Sequence, residues 1–186
     1  MSITFEHVTK HFDRAVLDDC TLHFADGKIT ALLGESGRGK TTVLRLLAGL
    51  EKPDSGTVRM GGKVAMLFQE PRLFPALTAL ENVRLVQPQH DRAAALAALQ
   101  LCRAETLADK RPAEMSGGER QRVALARLLA FDGDILLLDE PFSALDAATK
   151  AQVVENLRPH LAGKTVVLVT HSAEEAAMAD TKIELA

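Results

Sequence analysis

The sequence has no tyrosine, no tryptophan and only two cysteines, Cys20 and Cys102. With no partnering pattern around them, those two read as reduced thiols rather than as a disulfide or zinc framework. Long apolar runs are missing as well. Asp, Glu, Lys or Arg interrupts each hydrophobic stretch well before the roughly 18 residues that a membrane helix needs, so the chain is not expected to cross a bilayer. The opening "MSITFEHVTK" lacks a basic segment followed by an apolar one, which makes the cytoplasm the expected address. Acidic residues number 25 and basic residues 22, with no basic stripe and no interleaving of aromatics with bases. A nucleic-acid partner is therefore not expected. Repeats and low-complexity tracts are also lacking. What remains is a chain of 186 residues, 47% of them hydrophobic, expected to bury roughly two-thirds of its unfolded surface. That fits a single domain over 1–186 with a subdomain inside it.

Four short runs rich in Val, Ile and Leu mark the core: "KITALLG" (28–34), "KVAMLFQ" (63–69), "DILLLDE" (134–140) and "TVVLVTH" (165–171). Their apolarity is continuous rather than alternating, the pattern of parallel strands covered on both faces. Helical patterns lie between them at 40–50, 119–130, 147–163 and 172–179, the third closed by Gly163. Strands alternating with helices predict an α/β fold with a mostly parallel sheet. "SITFEHV" and "DCTLHFADG", with a turn at Asp26-Gly27, read as half-exposed strands, and "SGTVRMGGKVAM" reads as a further hairpin about Gly61-Gly62. Together they predict an antiparallel β subdomain. Residues 71–130 hold no strand pattern, and the Ala-rich "DRAAALAALQLCRAETLAD" predicts an inserted helical subdomain.

Each core strand ends in polar groups: the loop from Gly34, then Gln69, then Asp139 with Glu140, then Thr170 with His171. In open α/β sheets that edge binds ligands. "GESGRGKT", Gly34 to Thr41, fits G-x-x-x-x-G-K-[ST] in the strand-to-helix context that gives the match its meaning. Gly34, Gly37 and Gly39 let the backbone curl so that N–H groups meet phosphate oxygens, Lys40 reaches the β- and γ-phosphates, and the Thr41 hydroxyl ligates Mg²⁺. Ser36 and Thr42 add hydroxyl contacts. "ILLLDEP" delivers two carboxylates to the same edge: Asp139 to hold Mg²⁺, Glu140 to take a proton from the water attacking the γ-phosphate. Alone, that pair is an ordinary strand end; beside a phosphate loop the catalytic reading wins. Gln69 is placed to touch Mg²⁺ or the attacking water, and His171 to steady developing charge, although each alone is more often a capped or polar strand end.

A second glycine-bearing helix start follows at "MSGGERQRVALAR" (115–127). Ser116 and Glu119 form a capping box, which explains those two residues but not Gly117 and Gly118. Paired glycines are useful where backbone must approach something closely, and a capped helix start is an anion site. The chain already has its own phosphate loop, so this second site is read as serving the nucleotide of another copy.

The order "GESGRGKT", Gln69, "MSGGE", "ILLLDE", "SALD" (143–146) and His171 resembles the Walker A, Q-loop, signature, Walker B, D-loop and switch histidine of the nucleotide-binding subunits of ABC transporters. The resemblance covers almost the whole chain, and it implies a P-loop NTPase core with ATP and Mg²⁺ as its ligands. It further implies a head-to-tail homodimer with two ATP molecules at the interface. Ser116, Gly117 and Gly118 would then contact the γ-phosphate held by the other copy, with Asp146 ordering the interface beside it. Phe12 stands where the family stacks an aromatic on adenine, more often a tyrosine. Met115 and Glu119 replace the signature's more usual Leu and Gln. The sequence stops at "TKIELA", from which no C-terminal regulatory domain is expected.

"PRLFPALTALENVRL" (71–85) is read as exposing Leu73, Phe74, Pro75 and Leu77 in the region that receives a helix of the membrane subunit. The resemblance thus implies a separate permease, peripheral attachment to the inner face of the membrane, and indirectly an extracytoplasmic solute-binding protein. "DEPFSALD" is similar to the importer form, and "FQEPRLFPALTALENV" to subunits for nitrate, sulfonate and taurine uptake. A soluble ABC ATPase of DNA repair or translation is the competing class. Repair members place a long coiled coil between phosphate loop and signature, where this chain has no heptads, and translation members join two cassettes. A small-metabolite kinase would use Lys40 and Asp139 but leave Ser116, Gly117, Gly118, Asp146 and His171 without a task.

Overall fold

A computed structural model describes residues 3–185. Ser2, read with the first strand, lies outside the described residues, as do Met1 and Ala186. The chain divides into two compact units, one from Met1–Met66, Asp134–Glu140 and Ala162–Ala186, the other from Leu67–Gly133 and Pro141–Leu161.

The first unit carries two sheets. Strands β1 (Ile3–His11) and β2 (Ala15–Phe24) pair antiparallel from Ile3↔Phe24 to His11↔Ala15, and β4 (Ser55–Arg59) pairs antiparallel on the other side of β1. The second sheet runs β5 (Val64–Leu67), β6 (Ile135–Asp139), β7 (Thr165–Val169), β3 (Ile29–Leu33), β8 (Thr181–Glu184), with the β6–β7, β7–β3 and β3–β8 pairs parallel. Every residue of β6 and β7 is buried, as their unbroken apolarity requires. Helix α1 (Lys40–Leu47) contributes Val43, Leu44, Leu46 and Leu47 to a core shared with Phe5, Val8 and Phe24 of the small sheet and Leu32, Leu137 and Val167 of the large one.

Gly61-Gly62 does not close the expected hairpin. β4 joins β1, whereas β5 joins β6, so the two glycines pass the chain from one sheet to the other. Lys63 fixes the hand-over: its N–H donates to Asp134 Oδ2 (2.8 Å), and its carbonyl accepts from Asp134 N (2.9 Å) and Ile135 N (3.1 Å). Long-range pairing has overridden a local turn signal.

The second unit is helical: α2 (Ala79–Arg84), α3 (Arg92–Leu101), α4 (Gly117–Ala130) and α5 (Ala147–Leu161), with single 3₁₀ turns at Glu105–Leu107 and Pro112–Glu114. α5 belongs with the other three through Asn156 Nδ2, which donates to Leu101 O (3.0 Å), and the segment before it through buried Gln121, whose Nε2 donates to Pro141 O (3.2 Å). α2 is too short to show periodicity in the sequence. Its start is a capping box: Thr78 Oγ1 accepts from Glu81 N (3.2 Å) and Glu81 Oε2 from Thr78 N (2.7 Å). Of the apolar group ahead of it, Phe74 and Pro75 are exposed, but Leu73 and Leu77 are half-buried. Buried Asn82 draws that segment inward, accepting from Phe74 N (2.8 Å) and donating to the carbonyls of Phe74, Leu77 and Thr78. Among the described residues, no helix is long and apolar enough to cross a membrane.

Candidate active site

In the first unit, β3 runs into the loop beginning at Gly34, and α1 starts at Lys40. The helix is capped by Gly39, left-handed at φ 86°, with no side-chain hydrogen bond to its first turn. Those N–H groups are left for water or an anion. A Cβ at Gly39 would sit 3.0 Å from Val16 and Leu17 side chains in a backbone region that side chains rarely adopt, so glycine is required there. Lys40 is only 6% exposed and donates from Nζ to Gly34 O and Glu35 O, both at 2.7 Å. Its ammonium thus draws the two ends of the loop together. Ser36 and Gly37 are exposed and Thr42 half-buried. A cavity of about 650 Å³ adjoins the loop, lined among others by Arg14, Val16, Ser36, Gly37 and Arg38.

Thr41, next along α1, donates its hydroxyl to Asp139 Oδ2 at 2.9 Å. Asp139 ends β6 and is 3% exposed. Burial pushes its carboxyl above the ordinary range; the Thr41 hydroxyl pulls the other way and the neighbouring Glu140 charge adds to the rise. Glu140 leaves the strand at φ 48°, its N–H held by Val169 O (3.0 Å). Its Oε1 lies 3.2 Å from His171 Nε2, which comes from the end of β7. Lys40, Thr41, Asp139, Glu140 and His171 are therefore gathered at one end of the parallel sheet, where the sequence places them. Phe12 sits in the β1–β2 turn, 51% exposed, with Lys10 Nζ 5.2 Å from its ring centroid. Sequence reasoning singles out neither Lys10, beside that ring, nor Arg14, in the cavity lining; each lies two residues from Phe12.

The second unit holds Gln69, Ser116, Gly117, Gly118 and Asp146. Gln69 is exposed two residues beyond β5. Ser116 caps α4 as expected, its Oγ accepting Glu119 N (3.2 Å) while Glu119 Oε2 accepts Ser116 N (2.7 Å). Those bonds, the backbone one foremost, hold the Glu119 carboxyl below its usual range. The two glycines divide. A Cβ at Gly118 would stand 2.7 Å from Ala144 O, so Gly118 is required by the chain's own "SALD" loop. A Cβ at Gly117 would meet nothing within 4 Å. Gly117 is exposed, at a helix start, with no packing reason to be glycine. Asp146 caps α5, its Oδ1 accepting Thr149 N at 3.0 Å, and that bond lowers its carboxyl pKa.

A strand ending in a glycine loop, a lysine folded into that loop and a buried carboxylate brought to the following threonine place the chain in the class of phosphate-loop NTPases. Within that class it belongs to the ABC transporter family, whose model matches residues 17–143. The sulfate/thiosulfate import ATP-binding protein CysA of Ralstonia nicotianae is 43% identical over 203 residues, covering 95% of this chain and 54% of that protein. The aliphatic sulfonates import ATP-binding protein SsuB 1 of Nocardia farcinica is 44% identical over 191 residues, covering 100% of this chain and 78% of that one. The chain thus spans little more than half of the first relative's length. Among solved structures, the dimeric bacterial ABC transporter cassette MJ0796 superposes with a TM-score of 0.92 at 32% identity, over 98% of this chain and 94% of that one.

Proposed function

We propose that the chain is the ATP-binding and ATP-hydrolysing subunit of an importer, working as a head-to-tail pair and driving solute uptake through a separate membrane permease. The observation that carries the reading is the Lys40–Thr41–Asp139 constellation, a phosphate grip joined to a cation-binding pair. Relatives named for import of sulfate and sulfonates support the transport role, and a post-hydrolysis dimer of MJ0796 with ADP and Pi, superposing at a TM-score of 0.91, supports hydrolysis and pairing.

Phe12 offers its exposed face to adenine, Lys40 moves from the loop carbonyls to the β- and γ-phosphates, and Ser36, Gly37 and Thr42 complete the cradle. The Thr41–Asp139 pair fits Mg²⁺: an all-oxygen donor set with one buried carboxylate suits a hard cation that keeps most of its waters. When bound, that ion neutralises charge shared between phosphate oxygens. Gln69 extends its amide to the ion or the attacking water. Glu140 accepts the water's proton, and His171, at 3.2 Å from it, orients that carboxylate and hydrogen-bonds the terminal phosphate. Ser116, Gly117 and Gly118 contact the same phosphate from the second copy, with Asp146 beside them.

The glycine pair provides a test. Gly117→Ala is expected to leave thermal stability unchanged or slightly raised while hydrolysis falls at least about tenfold, because a methyl group intrudes where backbone meets phosphate. Gly118→Ala is expected instead to destabilise the fold by about 1–3 kcal/mol through overlap with Ala144 O. Full activity in Gly117→Ala would remove the signature from the site.

The transport reading is tested by affinity purification from detergent-solubilised native membranes, followed by an ATPase assay with Mg²⁺ and with EDTA. A permease is expected to co-purify, and hydrolysis to stop on chelation. Recovery of the chain with no membrane protein across several detergents, hydrolysis intact, would favour the soluble ATPase class.

A further inference from the structure

The turn that carries His171 is closed by groups that no motif covers. Thr170 is 2% exposed and Glu175, on α6 (Ala173–Ala176), is 6% exposed. Thr170 Oγ1 donates to Glu175 Oε2 at 2.5 Å, and the same oxygen accepts Ser172 N at 3.0 Å. Ser172 Oγ in turn accepts Glu175 N at 3.4 Å. Residue 171 is thus spanned by one hydrogen bond and anchored by a second to a buried carboxylate. Burying a carboxylate is unfavourable unless it is used. An acid in the first turn of a helix gains from the dipole while exposed, as Glu174 is, so that role does not account for Glu175's burial.

The other half of the pair is anchored at the same place. Glu140 N–H is held by Val169 O, the residue before Thr170, so both members of the Glu140–His171 contact are referenced to the end of β7. We infer that Glu175 is a positioning residue: acting through Thr170, its carboxylate fixes the turn on which the His171 ring meets Glu140. The inference rests on the proposed role of His171 in hydrolysis and names what holds it in place.

The test compares Glu175→Ala, Glu175→Gln and Thr170→Val in the full chain, each alone and combined with His171→Ala. Glu175→Ala and Thr170→Val are expected to lower kcat by about tenfold to a hundredfold, with KM for ATP within about twofold of the parent. Glutamine still accepts the Thr170 hydroxyl, so Glu175→Gln is expected to restore most of the rate. On the His171→Ala background none of the three changes kcat further. A loss in KM rather than kcat, a Gln variant as slow as Ala, or an undiminished effect without His171 overturns the inference. Thr170→Val leaves no cavity and serves if Glu175→Ala does not fold. The His171 ring resonances give a reading independent of catalysis: they are expected to move in Glu175→Ala and hold in Glu175→Gln. Should His171→Ala leave kcat unaltered, the role assigned to His171 fails, and the ring resonances alone decide the positioning; if they are unmoved in Glu175→Ala and Thr170→Val, positioning fails too.

Discussion

Glu140→Gln is expected to bind ATP as the parent does, to hydrolyse it about a hundredfold to ten-thousandfold more slowly, and to accumulate as an ATP-bound dimer on size-exclusion chromatography. The range is that of a lost general base. Glutamine has the same shape and meets the same backbone demand at φ 48°, so the fold is not taxed by the change. The amide still hydrogen-bonds but cannot take a proton from water. It also removes a negative charge close to Asp139, whose burial already disfavours ionisation, and next to the expected terminal phosphate. Binding and closure are then favoured while the exit through hydrolysis is blocked. A variant that keeps its rate would take Glu140 out of the proton transfer. One that remains monomeric at saturating ATP would count against the nucleotide sandwich.

Much of this site is legible because its chemistry is local. The phosphate loop, its lysine and its threonine lie within eight consecutive residues, "GESGRGKT", and the strands that bring Asp139 and His171 beside them are buried on every residue, which leaves an unbroken apolar signature. The Ser116–Glu119 capping box is equally local and forms as read.

What the sequence hides depends on distant partners. "TVRMGGKVAM" has the local signature of a hairpin, but Lys63 bonds to Asp134 and Ile135, far along the chain, and the second strand joins β6 in the other sheet. Leu73 and Leu77 look exposed in a Pro- and Phe-containing stretch until buried Asn82 folds that stretch back. Gly118 belongs to no turn; its need for a missing side chain comes from Ala144 O. Nothing local in the sequence marks Glu175 as buried; the hydroxyl its carboxylate accepts comes from Thr170, just past the end of β7.

Sharing of each terminal phosphate between Lys40 of one copy and Gly117 of the other is tested most directly by mixing two inactive variants, Lys40→Ala and Gly117→Glu. Lys40→Ala empties the phosphate grip. Gly117→Glu points a like charge at the phosphate from a position with open space, so its folding is spared. A two-fold dimer has two equivalent composite sites, and in a heterodimer both lesions fall in one of them, leaving the other intact. Equimolar mixing is therefore expected to restore up to about a quarter of parental hydrolysis, half of the dimers being mixed and each carrying one intact site. Mixtures that stay as inactive as their components at every ratio, with heterodimers verified by differential tagging, would contradict the shared site.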